Sequence, residues 1–440
     1  MACHAVVALA GATVDGQTRF GHKSSRPAGQ GPPLCRAPGR GCAPDEKIRT
    51  SLLELPQARQ THTVLGCQPE GCWGYECGIN EHQVGVGCAP LPTTMKCDGP
   101  TLRGTDLIRL TLERSRTALQ AVDLLTGLVE RYGQGAFPAC PAEADCDYAF
   151  LVVDPTEAYA VETAGHYWVY QEVKEVRAVS NVRVIRQDWD RISKGLASYA
   201  ISRGWWADDG SKLDFVAALG EDALKHGAPL RHWGQTTLLL MEQNGHIDTA
   251  FVRRLQSGQL EAESVQRSAP GAVRTAPAAV EGVKWFKHPA ENAGQEDVAS
   301  FVACLSKDPG RLAMSWCAFG APSCGVYFPI FLDGELPEPF THAGQMRSAE
   351  TFWRRVSVLS EQIEHEPERR ALVRDSFARL QARFDQEAEE FNAEGAALKQ
   401  RGALTDLQRQ ATLFMQYNLE RFETVLADCL RSRSLVAVDS

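Results

Sequence analysis

The chain predicts a mixed α+β fold, on three observations. Short β-prone runs recur from residue 3 to residue 87. Residues 104–132 switch to a helical period before strand-like alternation resumes, and residues 349–431 are almost wholly helical. Strand-rich, helix, strand-rich is an order that lets two sheets pack between helices. At 440 residues and 44% hydrophobic content the chain can bury a sizeable core.

In order, the run from Cys3 is closed by Asp15-Gly16, a hairpin dipeptide, and a second short run follows. Residues 26–45, rich in Pro, Gly and Arg, read as a long irregular loop. β-like alternation returns over 48–66. The glycine-dense stretch 71–87 suits short strands whose chain bends sharply or passes near another backbone. Leu107, Leu110, Leu112, Ala118, Ala121 and Leu125 recur at helical spacing, which predicts one helix, or two with a break near Ser115, ending at Gly133. Strands are predicted at 149–153, 158–163 and 167–171, with alternation continuing to Ile185. Residues 193–260 are more helical, with a helix about 214–225, and 262–294 read as a linker or mobile insertion. Strands return at 298–305, 312–319 and 326–332. In the tail, Val373, Phe377, Leu380, Phe384 and Phe391 recur at spacings of three, four or seven, and Gly395 and Gly402 divide it into two or three helices. The expected domains are 1–340 and a helical region 349–440.

Composition narrows the function. A net charge of −9 without a dense basic patch argues against nucleic acid. No apolar run approaches the ~20 residues of a membrane helix, and the apolar start lacks a basic flank, so a cytoplasmic protein is expected. Of fourteen cysteines, Cys67, Cys72, Cys77, Cys88 and Cys97 cluster, but without C-x-x-C pairs and with only His62 and His82 nearby. Reduced thiols, no metal and no cofactor are the expectation. A thiol-rich metal-binding protein is the weaker alternative.

A candidate nucleophile stands at the beginning. If Cys3 became the N-terminus, its α-amine, which titrates near neutrality, could take the thiol proton directly or through one water. The bland reading is that Cys3 is a small buried residue.

Several segments together resemble one family. Gly74-Tyr-Glu-Cys-Gly-Ile-Asn-Glu-His-Gln-Val84, Asp106-Leu-Ile-Arg-Leu-Thr-Leu-Glu-Arg114, Glu130-Arg-Tyr-Gly-Gln-Gly135, Val161-Glu-Thr-Ala-Gly-His-Tyr-Trp168, Ala178-Val-Ser-Asn181 and Ser202-Arg-Gly-Trp-Trp206 are similar in order and spacing to secernins. These are cytosolic relatives of cysteine dipeptidases among the N-terminal nucleophile hydrolases. The resemblance is strong to about Trp206, patchy to Leu332 and weak in the tail. It implies a four-layer αββα sandwich with a C-terminal helical extension. It also implies that Cys3, uncovered by processing, attacks an amide carbonyl of a small peptide, and that Asn181 and Asn80 donate to the oxyanion.

Two features depart from the family. Where it has Gly-Lys-Asn-Ser-Asp-Arg-Pro, this chain has Gly21-His22-Lys23-Ser24-Ser25-Arg26-Pro27. Ser25 replaces the aspartate that would hold the amine. It can accept a hydrogen bond but supplies no charge. Lys23 is expected to be solvated, and His22 stands where related hydrolases often carry Arg, as a weak binder of a substrate carboxylate or a polar strand end. Met1-Ala2 precede Cys3, so a cut between Ala2 and Cys3 is required, and no match is evident for the arginine that related enzymes place near the nucleophile. The leading expectation is a cysteine-type dipeptidase working through a thioester. The alternative is a catalytically silent secernin-like protein that binds partners, for example in regulated secretion, through the tail helices or by self-association.

Overall fold

In a computed structural model the described residues are 3–27, 31–92, 95, 99–135, 146–219, 227–260, 295–341 and 352–431. The strands through the first helices are β1 His4–Ala8, β2 Thr18–Pro27, β3 Leu34–Ala37, β4 Lys47–Arg49, β5 Glu54–Pro56, β6 Val64–Cys67, β7 Cys77–Asn80, β8 Gly85–Pro92 and β9 Leu102–Arg103, then α1 Gly104–Arg114 and α2 Ala118–Tyr132. There follow β10 Gln134–Gly135, β11 Cys146–Val153, β12 Ala158–Ala164, β13 Tyr167–Glu172, β14 Val176–Val179 and β15 Arg191–Ile192. Helices α3 Leu196–Ser202, α4 Phe215–Ala218, α5 Gly227–Glu242 and α6 Thr249–Gln256 come next. The chain closes with β16 Gln295–Leu305, β17 Met314–Phe319, β18 Phe328–Phe331, α7 Glu338–Thr341, α8 Phe352–Ile363, α9 Pro367–Gln400 and α10 Leu404–Arg431.

By contact the chain forms two units. The first holds residues 1–22, 34–249 and 303–307; the second holds 23–33, 250–302 and 308–440. The division falls inside β2 and β16 rather than at 340–349.

The first unit is layered. An eight-stranded sheet has the order β15-β13-β12-β11-β8-β7-β6-β3, with every neighbouring pair antiparallel. Helices α1 and α2 cover one face, where Leu107, Leu110, Val122 and Leu125 meet Val86, Phe150, Val152 and Val161 in one buried cluster. The other face meets a second sheet, in which β14, β1 and β2 are neighbours; β1 packs on β8 and β11. Helix α5 lies on β14 in turn, with Trp233 Nε1 donating to the Ala178 carbonyl at 3.1 Å. Helix, sheet, sheet, helix is the expected αββα order.

Local signals explain most of this. Helix α1 stops at Ser115, which turns extended, and Thr117 caps α2 by accepting from Gln120 N, so of the one-helix and two-helix readings the second holds. The loop expected over 26–45 contains β3, whose pairing with β6 is a long-range contact that local composition hides. Of the helix expected about 214–225, only the single turn Phe215–Ala218 forms among the described residues; 220–226 and the predicted insertion 262–294 lie outside them. Gly74 fits the expected close backbone approach, since a Cβ there would stand 2.0 Å from the Thr105 carbonyl oxygen.

In the second unit β17 and β18 pair antiparallel, and the tail packs on β18. Phe328 meets Phe384 and Phe422, and Phe331 meets Phe391 and Phe414. Gly402, at φ +72°, separates α9 from α10 as expected. Gly395 does not divide anything: it lies inside α9, where a Cβ would come 2.5 Å from Leu312 Cδ1. No helix among the described residues is long and apolar enough to cross a membrane.

Gly74→Ala should destabilise the protein by about 2 kcal/mol or more, because a backbone carbonyl cannot yield as a side chain does. Gly127→Ala, in the exposed middle of α2 with nothing within 4 Å of the new Cβ, should stabilise it by about 0.5–1 kcal/mol. Denaturant unfolding of the two variants checks both signs.

Candidate active site

Cys3 immediately precedes β1 and is buried, with 1% of its surface exposed. β1 pairs antiparallel with β14 through Ala5 opposite Val179 and Val6 opposite Ala178. The ladder ends there: Cys3 and Asn181 each lie two residues beyond its last pair, and a bridge between Ser180 and Val182 turns the chain at Asn181.

Asn181 has capacity to spare. One N–H of its amide donates to the Pro90 carbonyl at 2.7 Å, while its Oδ1 is buried with no hydrogen-bond partner among the described residues. Its second N–H is not engaged by any described group, so it is the donor that an oxyanion can use.

Asn80 is differently committed. Its two amide hydrogens go to the Leu112 and Ser115 carbonyls, both at 2.8 Å, and its Oδ1 accepts from His82 N and Val84 N. These bonds cap the C-terminal end of α1 and close the β7–β8 turn. The oxyanion role expected of Asn80 is not available in this arrangement, because no amide hydrogen remains.

His22 also has a structural bond. It is buried, and its Nε2 lies 3.0 Å from the Cys88 carbonyl, which can only accept, so Nε2 carries the proton. That N–H is therefore withheld from a substrate carboxylate, against the expected binding role.

Arg183 was passed over in the sequence because a lone Arg within an alternating run resembles a surface charge. It is the largest of the fully buried side chains. Its Nη2 meets Asp147 Oδ2 at 2.6 Å, its Nη1 donates to the Pro92 carbonyl, and its Nε donates to the Thr163 carbonyl. Asp147 Oδ1 accepts in turn from Gln134 Nε2 and Gly165 N. Burial presses the Arg183 pKa down, and Asp147 opposes it. Glu162, also buried, accepts from the N–H groups of Val184 and Ile185, and burial pushes its carboxyl pKa up. These bonds fix the chain that leaves Asn181.

In the second unit, Ser25 Oγ donates to Asp297 Oδ1 at 2.5 Å, and Lys23 Nζ lies 3.2 Å from Asp297 Oδ2. Lys23 is therefore buried and paired, not solvated. The carboxylate missing at Ser25 is present one hydrogen bond away, on β16. A hydroxyl that donates to a carboxylate keeps its own lone pairs for an incoming N–H and is made a better acceptor. Asp297 escaped notice because the strand was expected to begin at residue 298.

No family model matches the chain. Among solved structures it is similar to a mutant conjugated bile acid hydrolase from Clostridium perfringens, at a TM-score of 0.38 and 14% identity over 72% of this chain and 89% of that one. It is similar to penicillin V acylase from Agrobacterium tumefaciens at 0.37 and 10%, over 75% and 86%. It is also similar to the Caenorhabditis elegans ortholog of N-acylethanolamine-hydrolyzing acid amidase at 0.33 and 10%, over 68% and 92%. Likenesses this distant fix no reaction for this chain.

Asp147→Asn should leave the Arg183 guanidinium buried without its counter-charge. A loss of about 3–5 kcal/mol is expected, read as a lowered urea midpoint with an unchanged m-value.

Proposed function

We propose that the chain is a secernin-like, cysteine-type amide hydrolase of the N-terminal nucleophile class, cleaving small peptides such as dipeptides in the cytoplasm. The observation that supports this reading is that Cys3 and Asn181 each lie two residues beyond the Ala5–Val179 pair, at the same end of the β1–β14 ladder, and that the Asn181 amide keeps an N–H in reserve.

The chemistry follows from those groups. Once Cys3 is the first residue, its α-amine accepts the thiol proton as Sγ attacks the scissile carbonyl carbon. Negative charge moves to the carbonyl oxygen, where Asn181 donates. The ammonium then returns the proton to the leaving nitrogen as the C–N bond breaks, leaving a thioester. Water, deprotonated by the same amine, adds to the thioester and releases the acid and the thiol. Position 25, which the resemblance makes the amine-orienting one, is a serine whose hydroxyl donates to Asp297.

Intact mass of the purified protein, followed by a dipeptide-hydrolysis assay, tests the reading. The expected species begins at Cys3. Cys3→Ala should abolish turnover, and Asn181→Ala should lower kcat by about 10²–10³ with its circular dichroism unchanged. A chain still beginning at Met1 or Ala2, or turnover that survives Cys3→Ala, would falsify the assignment.

A second reading, a silent protein that works through partners, is favoured by one observation. Leu413 and Tyr417 are exposed one turn apart on α10, and Leu404 is exposed at its start. Removing the tail cannot test this, since its phenylalanines are the core of the second unit. Paired substitution Leu413→Glu with Tyr417→Glu keeps that core. Under the hydrolase reading it should leave peptide turnover and monomer mass in sedimentation unchanged; loss of self-association would support the partner reading.

A further inference from the structure

Three side chains outside the proposed catalytic set converge beside the β7–β8 turn. His62 Nδ1 lies 3.3 Å from Glu81 Oε1 and 3.1 Å from His82 Nε2, and the two imidazole planes cross at 89°. The three ligand-type atoms all fall within 4.8 Å of one another. Hydrogen bonding alone serves this group poorly. His62 Nδ1 holds at most one proton, which can be aimed at the carboxylate or at the second imidazole but not at both. A tetrahedral zinc ion satisfies all three atoms together, because ligands about 2.0–2.1 Å from the metal stand about 3.3 Å apart.

The backbone holds the donors in place. Side chains of adjacent residues usually diverge, but the tight turn after Asn80 brings Glu81 and His82 to one side. That turn is closed by Gln83 at φ +60°, left-handed for a residue that is not glycine. Asn80 Oδ1 accepts the His82 and Val84 N–H groups, and Glu81 N donates to the Thr63 carbonyl. The Gln83 side chain is anchored on both backbone groups of Ser306, and His62 N donates to the Glu113 carbonyl. Burial first, then the His62 imidazole and, least, Arg116 keep the His82 imidazole toward its neutral form, while Glu81 acts the other way.

We infer that His62, Glu81 and His82 form a three-ligand site for a zinc-class divalent cation, through Nδ1, Oε1 and Nε2. Two imidazoles and a carboxylate suit zinc, not the all-oxygen shells of calcium or magnesium. Its place in the fold assigns a structural role: the ion ties the segment entering β6 to the β7–β8 turn and, through Asn80, to the end of α1. It takes no step in amide cleavage, so it stands or falls apart from the hydrolase reading. It departs from the metal-free expectation of the sequence, where His62 and His82 figured only as neighbours of clustered cysteines.

Cobalt(II) is the probe of choice, because fourteen cysteines make zinc stoichiometry alone ambiguous. Thiolate-bound cobalt shows an intense charge-transfer band that a nitrogen–oxygen site lacks. Titration of the chelator-stripped full chain should give a single equivalent with visible d–d absorption, no thiolate band, and displacement by zinc. His82→Gln and Glu81→Gln, one at a half-buried and one at an exposed position, should keep the circular dichroism of the parent and each weaken cobalt binding by at least about tenfold. Equal affinity in parent and variants, a spectrum carrying the thiolate band, or no binding at all overturns the site.

Discussion

Beyond Gly87, β8 runs on without β7 beside it, and two of its residues, Pro90 and Pro92, have no N–H. Along a strand the N–H and C=O of one residue face the same edge, and successive residues alternate edges. Cys88 N still donates to Glu76 on the β7 side, so the carbonyls of Cys88, Pro90 and Pro92 face that side as well. The result is an edge, buried as far as Leu91, with acceptors and almost no donors. Another strand cannot pair with it, because each ladder needs both. It can be satisfied only by side chains that donate, and it is: His22 on Cys88, Asn181 on Pro90, Arg183 on Pro92. Unmade hydrogen bonds at buried carbonyls cost on the order of 1–3 kcal/mol each, so these contacts hold the start of the β1 sheet against β8.

The second unit relies on a different constraint. The tail helices bury a run of phenylalanines against β18, and Arg253 makes two bonds to Asp385 while its guanidinium lies 4.6 Å from the centre of the Trp316 ring. A tail that was only an interaction arm would not contribute half of a core. Leu413 and Tyr417 are exposed on a helix already committed to packing by its other face.

What the sequence made legible depended on how local the cause was. The end at Gly133 and the turn at Gly402 are set by residues adjacent to them and are legible in the sequence, which leaves the α1–α2 break at Ser115 as one of two readings. β3 was not, since its only reason to be a strand is β6, some thirty residues away. Gly395 looked like a helix breaker because nothing in its neighbourhood announces Leu312. The same distinction divides the site. Cys3 and Asn181 were visible as motif positions, whereas Asp297 and Arg183 have meaning only through partners far along the chain, Ser25 in one case and Asp147 in the other. Lys23 was misjudged for the same reason.

The two asparagines show why a motif position is weaker than a hydrogen-bond inventory. Both sit where the family pattern places an oxyanion donor, and both side chains offer two N–H groups. Asn80 commits both to the buried C-terminal end of a helix, where two carbonyls lack intrahelical partners. Asn181 spends one on a proline-edged strand and retains the other. A single side-chain donor in a water-poor site accounts for about 2.7–4 kcal/mol of transition-state stabilisation. Under the hydrolase reading, loss of the second donor leaves the remaining amide, and the strand edge that orients it, as the part of the proposed site on which rate would depend most.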